Sequence, residues 1–151
     1  MRLLSILILS LTCLLKPAYG PDTDTPANRI CGKWESSEKN LVVEVYPYRN
    51  TLRAKMIRFT GGVSKAQPME NITDKKNPDP ALRSRKVLGM DVVEDLVYNP
   101  KSNSWENGRI YEIQSGKTWS AAAYLENENT LKVKGYWKVK LIGKTMTFHR
   151  L

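Results

Sequence analysis

Few side chains in this sequence are equipped for proton or metal chemistry. His149 is the single histidine, which excludes His-rich metal sites and the usual zinc hydrolase pattern. There is no Gly-x-Ser-x-Gly elbow, no Walker loop and no dinucleotide fingerprint. The carboxylates open to acid–base work are Asp74, Asp79, Glu94, Asp95 and Glu112, scattered among arginines. Binding chemistry is better supplied. Trp105, Arg109, Tyr111, Trp119 and Tyr124 fall close together in the sequence, with Arg83 and Arg85 upstream as rim candidates. Indole and phenol rings offer apolar walls, and a guanidinium pairs with a carboxylate or phosphate head group. Arg109 and Tyr111 are in phase on one strand face, as are Trp119 and Leu125 on the next. The expected ligand is small and amphipathic or anionic, with no metal and no cofactor. Core packing and loop bracing are the competing roles for these same residues.

The elements that must hold those residues read as strands. Candidates run over 30–36, 41–47, 51–59, 86–90, 92–98, 108–113, 118–125, 130–137 and 144–150, and treating 86–98 as one bent strand leaves eight. Turn signals divide them at Tyr48-Arg49-Asn50, Asn99 to Asn103, Ser115-Gly116-Lys117, Glu126 to Asn129 and Gly143-Lys144. No window carries a helical period. In 118–125, Trp119, Ala121, Ala123 and Leu125 share a face, with Thr118, Ser120, Ala122 and Tyr124 on the other. In 130–137, Leu131, Val133, Gly135 and Trp137 oppose Lys132, Lys134 and Tyr136. Such mixing of bulky and small residues suits the taper of a tight barrel, or leaves room for a guest. Thr60-Gly61-Gly62 reads as a plain bend, although its backbone could approach a phosphate.

Location is written at the start of the chain. Arg2 precedes an almost wholly apolar run from Leu3 to Leu15, which fits the core of a secretory signal peptide and is short for a membrane span. Residues 1–20 are therefore expected to be a signal peptide, with Ala18-Tyr19-Gly20 as the cleavage signal, and the product periplasmic or secreted. Lipidation at Cys13 is the less favoured alternative. Residues 21–29 form a flexible lead-in rich in Pro, Asp and Thr, and 30–151 form one domain. With the signal removed, no stable membrane span is expected, and Cys31 remains alone, read as half of no disulfide and buried beside Ile30. The chain carries 24 basic and 15 acidic residues, a net charge of +9. Lys132, Lys134, Lys138 and Lys140 suggest a basic stripe that could meet an anionic envelope component; nucleic acid is not an expected partner of an exported domain.

Two short signatures and one long one point to a family. Gly32-x-Trp34 near the start and Arg150 at the end allow a tryptophan to pack under an arginine by cation–π attraction. This resembles the Gly-x-Trp signature and closing arginine of lipocalins and other calycins. Across residues 30–151 run Tyr46-Pro47-Tyr48, Asn77-Pro78-Asp79-Pro80-x-x-Arg83-x-Arg85, Trp105-x-x-Gly108-x-Ile110-Tyr111, Gly116-Lys117 and Leu131-Lys132-Val133-x-Gly135-Tyr136. Their order resembles a family of small exported bacterial proteins catalogued as domain of unknown function 2147. The chain departs from that pattern at Glu112-Ile113-Gln114-Ser115, where Asp-Pro is expected, and at Phe148, where tryptophan is common. The resemblance implies a lipocalin-like barrel and an envelope or secreted location, and no activity.

The fold expected is all-β: a single small antiparallel β-barrel, lipocalin-like (calycin), of about eight strands with little helix. Asp74 and Asp79 are expected to accept hydrogen bonds from Arg83 or Arg85 and hold the proline loop across a barrel end. A carrier of a small amphipathic ligand is the first functional reading. A non-catalytic envelope interaction or structural protein is the second, and an unidentified enzyme the third.

Overall fold

Alternating apolar and polar residues separated by tight turns produce a meander in which each strand pairs with the next. The structure is a computed structural model and describes residues 25–60, 68–140 and 143–151. Its strands are β1 (Gly32–Ser36), β2 (Leu41–Tyr48), β3 (Thr51–Phe59), β4 (Asp91–Asn99), β5 (Ser104–Glu112), β6 (Lys117–Asn127), β7 (Thr130–Tyr136) and β8 (Gly143–Arg150). All pairings are antiparallel, and β8 returns to β1 through Trp34↔Arg150 and Ser36↔Phe148, closing the barrel. Closure leaves no free sheet edge. The helical content of the described residues is three short 3₁₀ turns at Pro26–Asn28, Met69–Asn71 and Pro80–Leu82.

The turns sit where the sequence marks them. Asn99 Oδ1 accepts from the Lys101 amide at 3.0 Å, and Asn127 Oδ1 accepts from the Asn129 amide at 3.0 Å, each starting a hairpin turn with its own side chain. Gly116 lies at φ 70°, and a Cβ there would run into the Lys76 carbonyl oxygen, so this turn needs glycine twice over.

The stretch 86–90 is not a strand. Thr73↔Lys86 is an isolated bridge, and β4 begins at Asp91. Its apolar residues anchor a long connection instead. Val87 is fully buried, Ile72 and Met90 nearly so, and the Val87 amide donates to the Ile72 carbonyl at 3.1 Å. Trp105 also lies within a strand that begins at Ser104, earlier than its 108–113 candidate. Trp137, Lys138 and Lys140 lie beyond the end of β7, in the connection to β8. The anticipated four-lysine stripe therefore has two members on the strand, Lys132 and Lys134. The signal-peptide residues, Cys13 and Gly61-Gly62 lie outside the described residues.

One end of the barrel is sealed. Trp34 and Trp105 are fully buried, and their indole N–H groups donate to the Ile30 and Ala27 carbonyls at 2.8 and 2.7 Å. Both rings are thereby tied to the segment that leads into β1. Arg150 stands 4.2 Å from the Trp34 ring and donates to the carbonyls of Arg29 (2.7 Å), Cys31 (2.9 Å) and Glu128 (3.0 Å). Each guanidinium nitrogen thus gives one N–H to a carbonyl, while the ring takes the cation's face.

Candidate functional site

Cross-strand partners point to the same face of a sheet, so the register identifies what lines the barrel. At the sealed end the inward positions include Trp34, Leu52, Leu96, Trp105, Ala123 and Leu131, all buried. Toward the other end the wall divides: Val43, opposite Met56, is buried, whereas Ile110, opposite Trp119, and Val133, opposite Met146, are only half-buried. Gly135, opposite the buried Ala121, is inward too. A Cβ at Gly135 would lie 3.8 Å from the Ile110 Cδ1 and 3.9 Å from the Trp119 Cβ, so the glycine leaves space beneath them. The barrel is filled at one end, and at the other its β5–β8 side is only half-covered. Its mouth has apolar walls, with Lys144 facing Gly135 and Lys117 facing Glu112 at the rim.

Trp137 completes the mouth. Its ring meets Trp119 edge to face, with centroids 5.8 Å apart, while 60% of the residue stays exposed. Sequence reading placed Trp137 among inward strand residues and so missed it as a rim aromatic. The signal available was Gly135-Tyr136-Trp137-Lys138, where the apolar alternation ends.

Residues 32–150 match the family described as "Uncharacterized protein conserved in bacteria (DUF2147)". The chain belongs to this family. A solved structure, protein HP1028 from the human pathogen Helicobacter pylori, is described as belonging to the lipocalin family. It is 28% identical to this chain, with a TM-score of 0.67, and the match covers 80% of this chain and 82% of that one. No curated protein matches this chain. The lipocalin-like barrel and the DUF2147 resemblance read from the sequence are thus both shown.

In this DUF2147 protein the residues grouped by sequence as one pocket occupy separate places. Trp119 lines the mouth. Trp105 is part of the filled floor, where it also packs against Tyr98 at 5.2 Å. Arg109 is on the outer wall, donating to Glu94 at 3.1 Å and Asp95 at 2.7 Å. Tyr124 is exposed on the outer face of β6, opposite Lys132. The cause of the division is a register shift between Trp105 and Gly108, where Asn107 takes φ 60°. One extra residue turns Arg109 and Tyr111 outward relative to Trp105.

Tyr111, Arg83 and Arg85 belong to the proline loop. The fully buried Asp74 carboxylate accepts from the Tyr111 hydroxyl at 2.6 Å, the Asn77 amide at 2.7 Å and the Arg85 guanidinium at 2.8 Å. Burial by itself would raise this carboxyl, but the three hydrogen bonds and the Arg85 charge outweigh it and hold it below the usual carboxylate range. Burial first, and then the Asp74 partner, push the Tyr111 phenol up to about 12. Asp79 takes neither arginine: its carboxylate accepts from the Ala81 amide at 2.9 Å and caps the 3₁₀ turn that Pro80 begins. Arg83 donates to the Asn77 carbonyl at 2.8 Å. The latch therefore ties the loop to the outer side of β5 and does not lay Arg83 or Arg85 over the mouth. A surface cleft of ≈ 190 Å³ beside Arg85, Asp91, Glu94 and Arg109 is walled by groups already paired, Glu94 with Arg109, Arg85 with Asp74 and Asp91 with Arg53.

Other candidates for chemistry are similarly engaged. Cys31 is half-buried, and burial pushes its thiol up to about 11 despite the nearby Arg150, so it stays protonated at neutral pH. His149 lies on the exposed side of β8, 3.1 Å from the Ser37 hydroxyl. No group of three or more His, Cys, Asp or Glu able to hold a metal ion occurs among the described residues.

Proposed function

We propose that this DUF2147 protein is exported and carries a small amphipathic ligand, with its apolar part against the half-wet β5–β8 wall at the end of the barrel away from Trp34 and Trp105. The observation that carries this reading is the change in burial along the inner wall. Ile110, Trp119, Val133 and Met146 face inward yet remain half-exposed, above a floor sealed by Trp34 and Trp105. Apolar side chains held half-wet in a concave wall gain free energy when an apolar guest displaces the water. Lys117 and Lys144 at the rim suit an anionic head group on the same molecule. The lipocalin family assignment of the similar Helicobacter pylori protein supports a ligand of small size. Export is supported by Arg2 and the apolar run Leu3–Leu15.

Native mass spectrometry of protein purified gently from its producing cell tests the reading. A reproducible added mass of lipid or metabolite size is expected, and Trp119→Ala should lose it. A bare chain mass from folded protein, preparation after preparation, would overturn the carrier reading.

A further inference from the structure

The β7–β8 region combines two properties that the carrier reading does not use. From Asn129 to Leu151 the chain has six basic residues (Lys132, Lys134, Lys138, Lys140, Lys144 and Arg150) and no acidic one. Within this stretch, besides the terminal Leu151, two apolar residues are strongly exposed, Trp137 at 60% and Val139 at 53%. They flank a tight turn in which the Val139 amide donates to the Trp137 carbonyl at 2.7 Å and Lys138 takes φ 60°. Some of the charge is already answered: Lys140 pairs with Glu106 at 3.0 Å, Lys132 with Glu126 at 3.5 Å, and Arg150 is spent on the sealed end. Lys134, Lys138 and Lys144 enter no ion pair among the described residues.

We propose that this hairpin docks the protein on the surface of an anionic phospholipid bilayer. Tryptophan favours the headgroup level of a membrane, where its ring is half in apolar surroundings. Lysines around it meet the negative surface potential of the leaflet. A soluble acidic polymer would use the lysines and leave Trp137 and Val139 facing water for no gain. A second copy of the chain is disfavoured, since two such hairpins would bring like charges together. The geometry also relates the two sites. Trp137 packs on Trp119, so a bilayer that takes up Trp137 lies at the mouth of the barrel, where an amphipathic guest would enter or leave. Docking does not depend on the barrel being filled, so its test and the native-mass test fail separately.

The test is co-sedimentation of protein purified from its producing cell with vesicles of phosphatidylglycerol and phosphatidylcholine, set against pure phosphatidylcholine. Binding is expected to the anionic vesicles alone and to weaken with salt. Lys138→Gln and Lys144→Gln should each weaken it about five-fold. Trp137→Ser should weaken it roughly ten-fold. Arg49→Gln serves as the control, because Arg49 is exposed in the β2–β3 turn, across the barrel from β7 and β8, and the charge change is the same. Near-ultraviolet circular dichroism confirms that each variant is folded. No binding to the anionic vesicles, equal binding to both kinds, or equal loss in Arg49→Gln would overturn the proposal. So would full binding by Trp137→Ser alongside weakened lysine variants, which would assign the hairpin to polyanions in general.

Discussion

Asp74 is fully buried with three donors on its carboxylate, so its charge is tolerable only while Tyr111, Asn77 and Arg85 stay in place. Asp74→Asn keeps the shape and removes the charge, and turns one acceptor oxygen into a donor facing other donors. A loss of about 2–4 kcal/mol is expected from urea unfolding. Protonation acts in the same direction. The folded-state carboxyl titrates below its unfolded value of about 3.9, so its stabilisation is complete above that value and disappears as pH falls through the lower folded one. The wild type should lose stability there and Asp74→Asn should lose much less. At the other extreme, Tyr46 and Tyr111 are both pushed up to about 12, chiefly by burial and then by Asp91 and Asp74. Their contribution is present below the unfolded value of about 10 and is lost as pH rises through about 12. Residue chemistry of this kind was only partly legible beforehand. The Asp74–Arg85 pair followed from opposite charges flanking a proline loop, whereas Tyr111 could not be joined to it while it was grouped with Trp105 in one candidate site. A bulge at Asn107 has no compositional signature strong enough to announce that flip.

At the scale of elements, the strands were readable wherever one face is buried and the other wet, because burial imposes the period of two. β6 keeps strict alternation, and Trp119, Ala121 and Ala123 face inward as the pattern demands. The reading failed at 86–90, where Val87, Leu88 and Met90 make an apolar run without being a strand. There the burial comes from a loop folded against the barrel, and apolar content alone does not distinguish the two. The sealing of one end by Trp34 and Arg150 was legible from two residues at the chain termini, since strand order in a closed meander brings first and last together. That element carries its own prediction. Arg150→Lys keeps the positive charge over the Trp34 ring but cannot reach three carbonyls that lie in different directions. It is expected to cost about 2–3 kcal/mol, seen as a lower Tm, with the oxygens of Arg29, Cys31 and Glu128 left to water.

For the whole molecule the central question is why the β5–β8 side of the inner wall stays half-wet at one end, when small barrels can be packed by their own side chains. Two inward glycines show the difference between its halves. At Gly108 a Cβ would lie 2.6 Å from the Leu96 Cδ2 and 3.2 Å from the Ala121 Cβ, so the floor has no room. Gly108→Ala should destabilise the protein by about 1–3 kcal/mol through overpacking. At Gly135 a Cβ would make only ordinary contact with Ile110 and Trp119, and a larger side chain would extend along that half-wet wall. Gly135→Leu should therefore be neutral or more stable, by up to about 1 kcal/mol, since it also removes a flexible residue from a strand. If that wall is kept half-wet for a guest, this more stable variant should lose the added mass in native spectra, because leucine occupies the guest's place. Thermal unfolding and native mass measured on the same sample separate the outcomes. A gain in stability with the guest lost means that the half-wet wall is kept for binding. Unchanged guest mass in a folded Gly135→Leu protein would place the guest elsewhere.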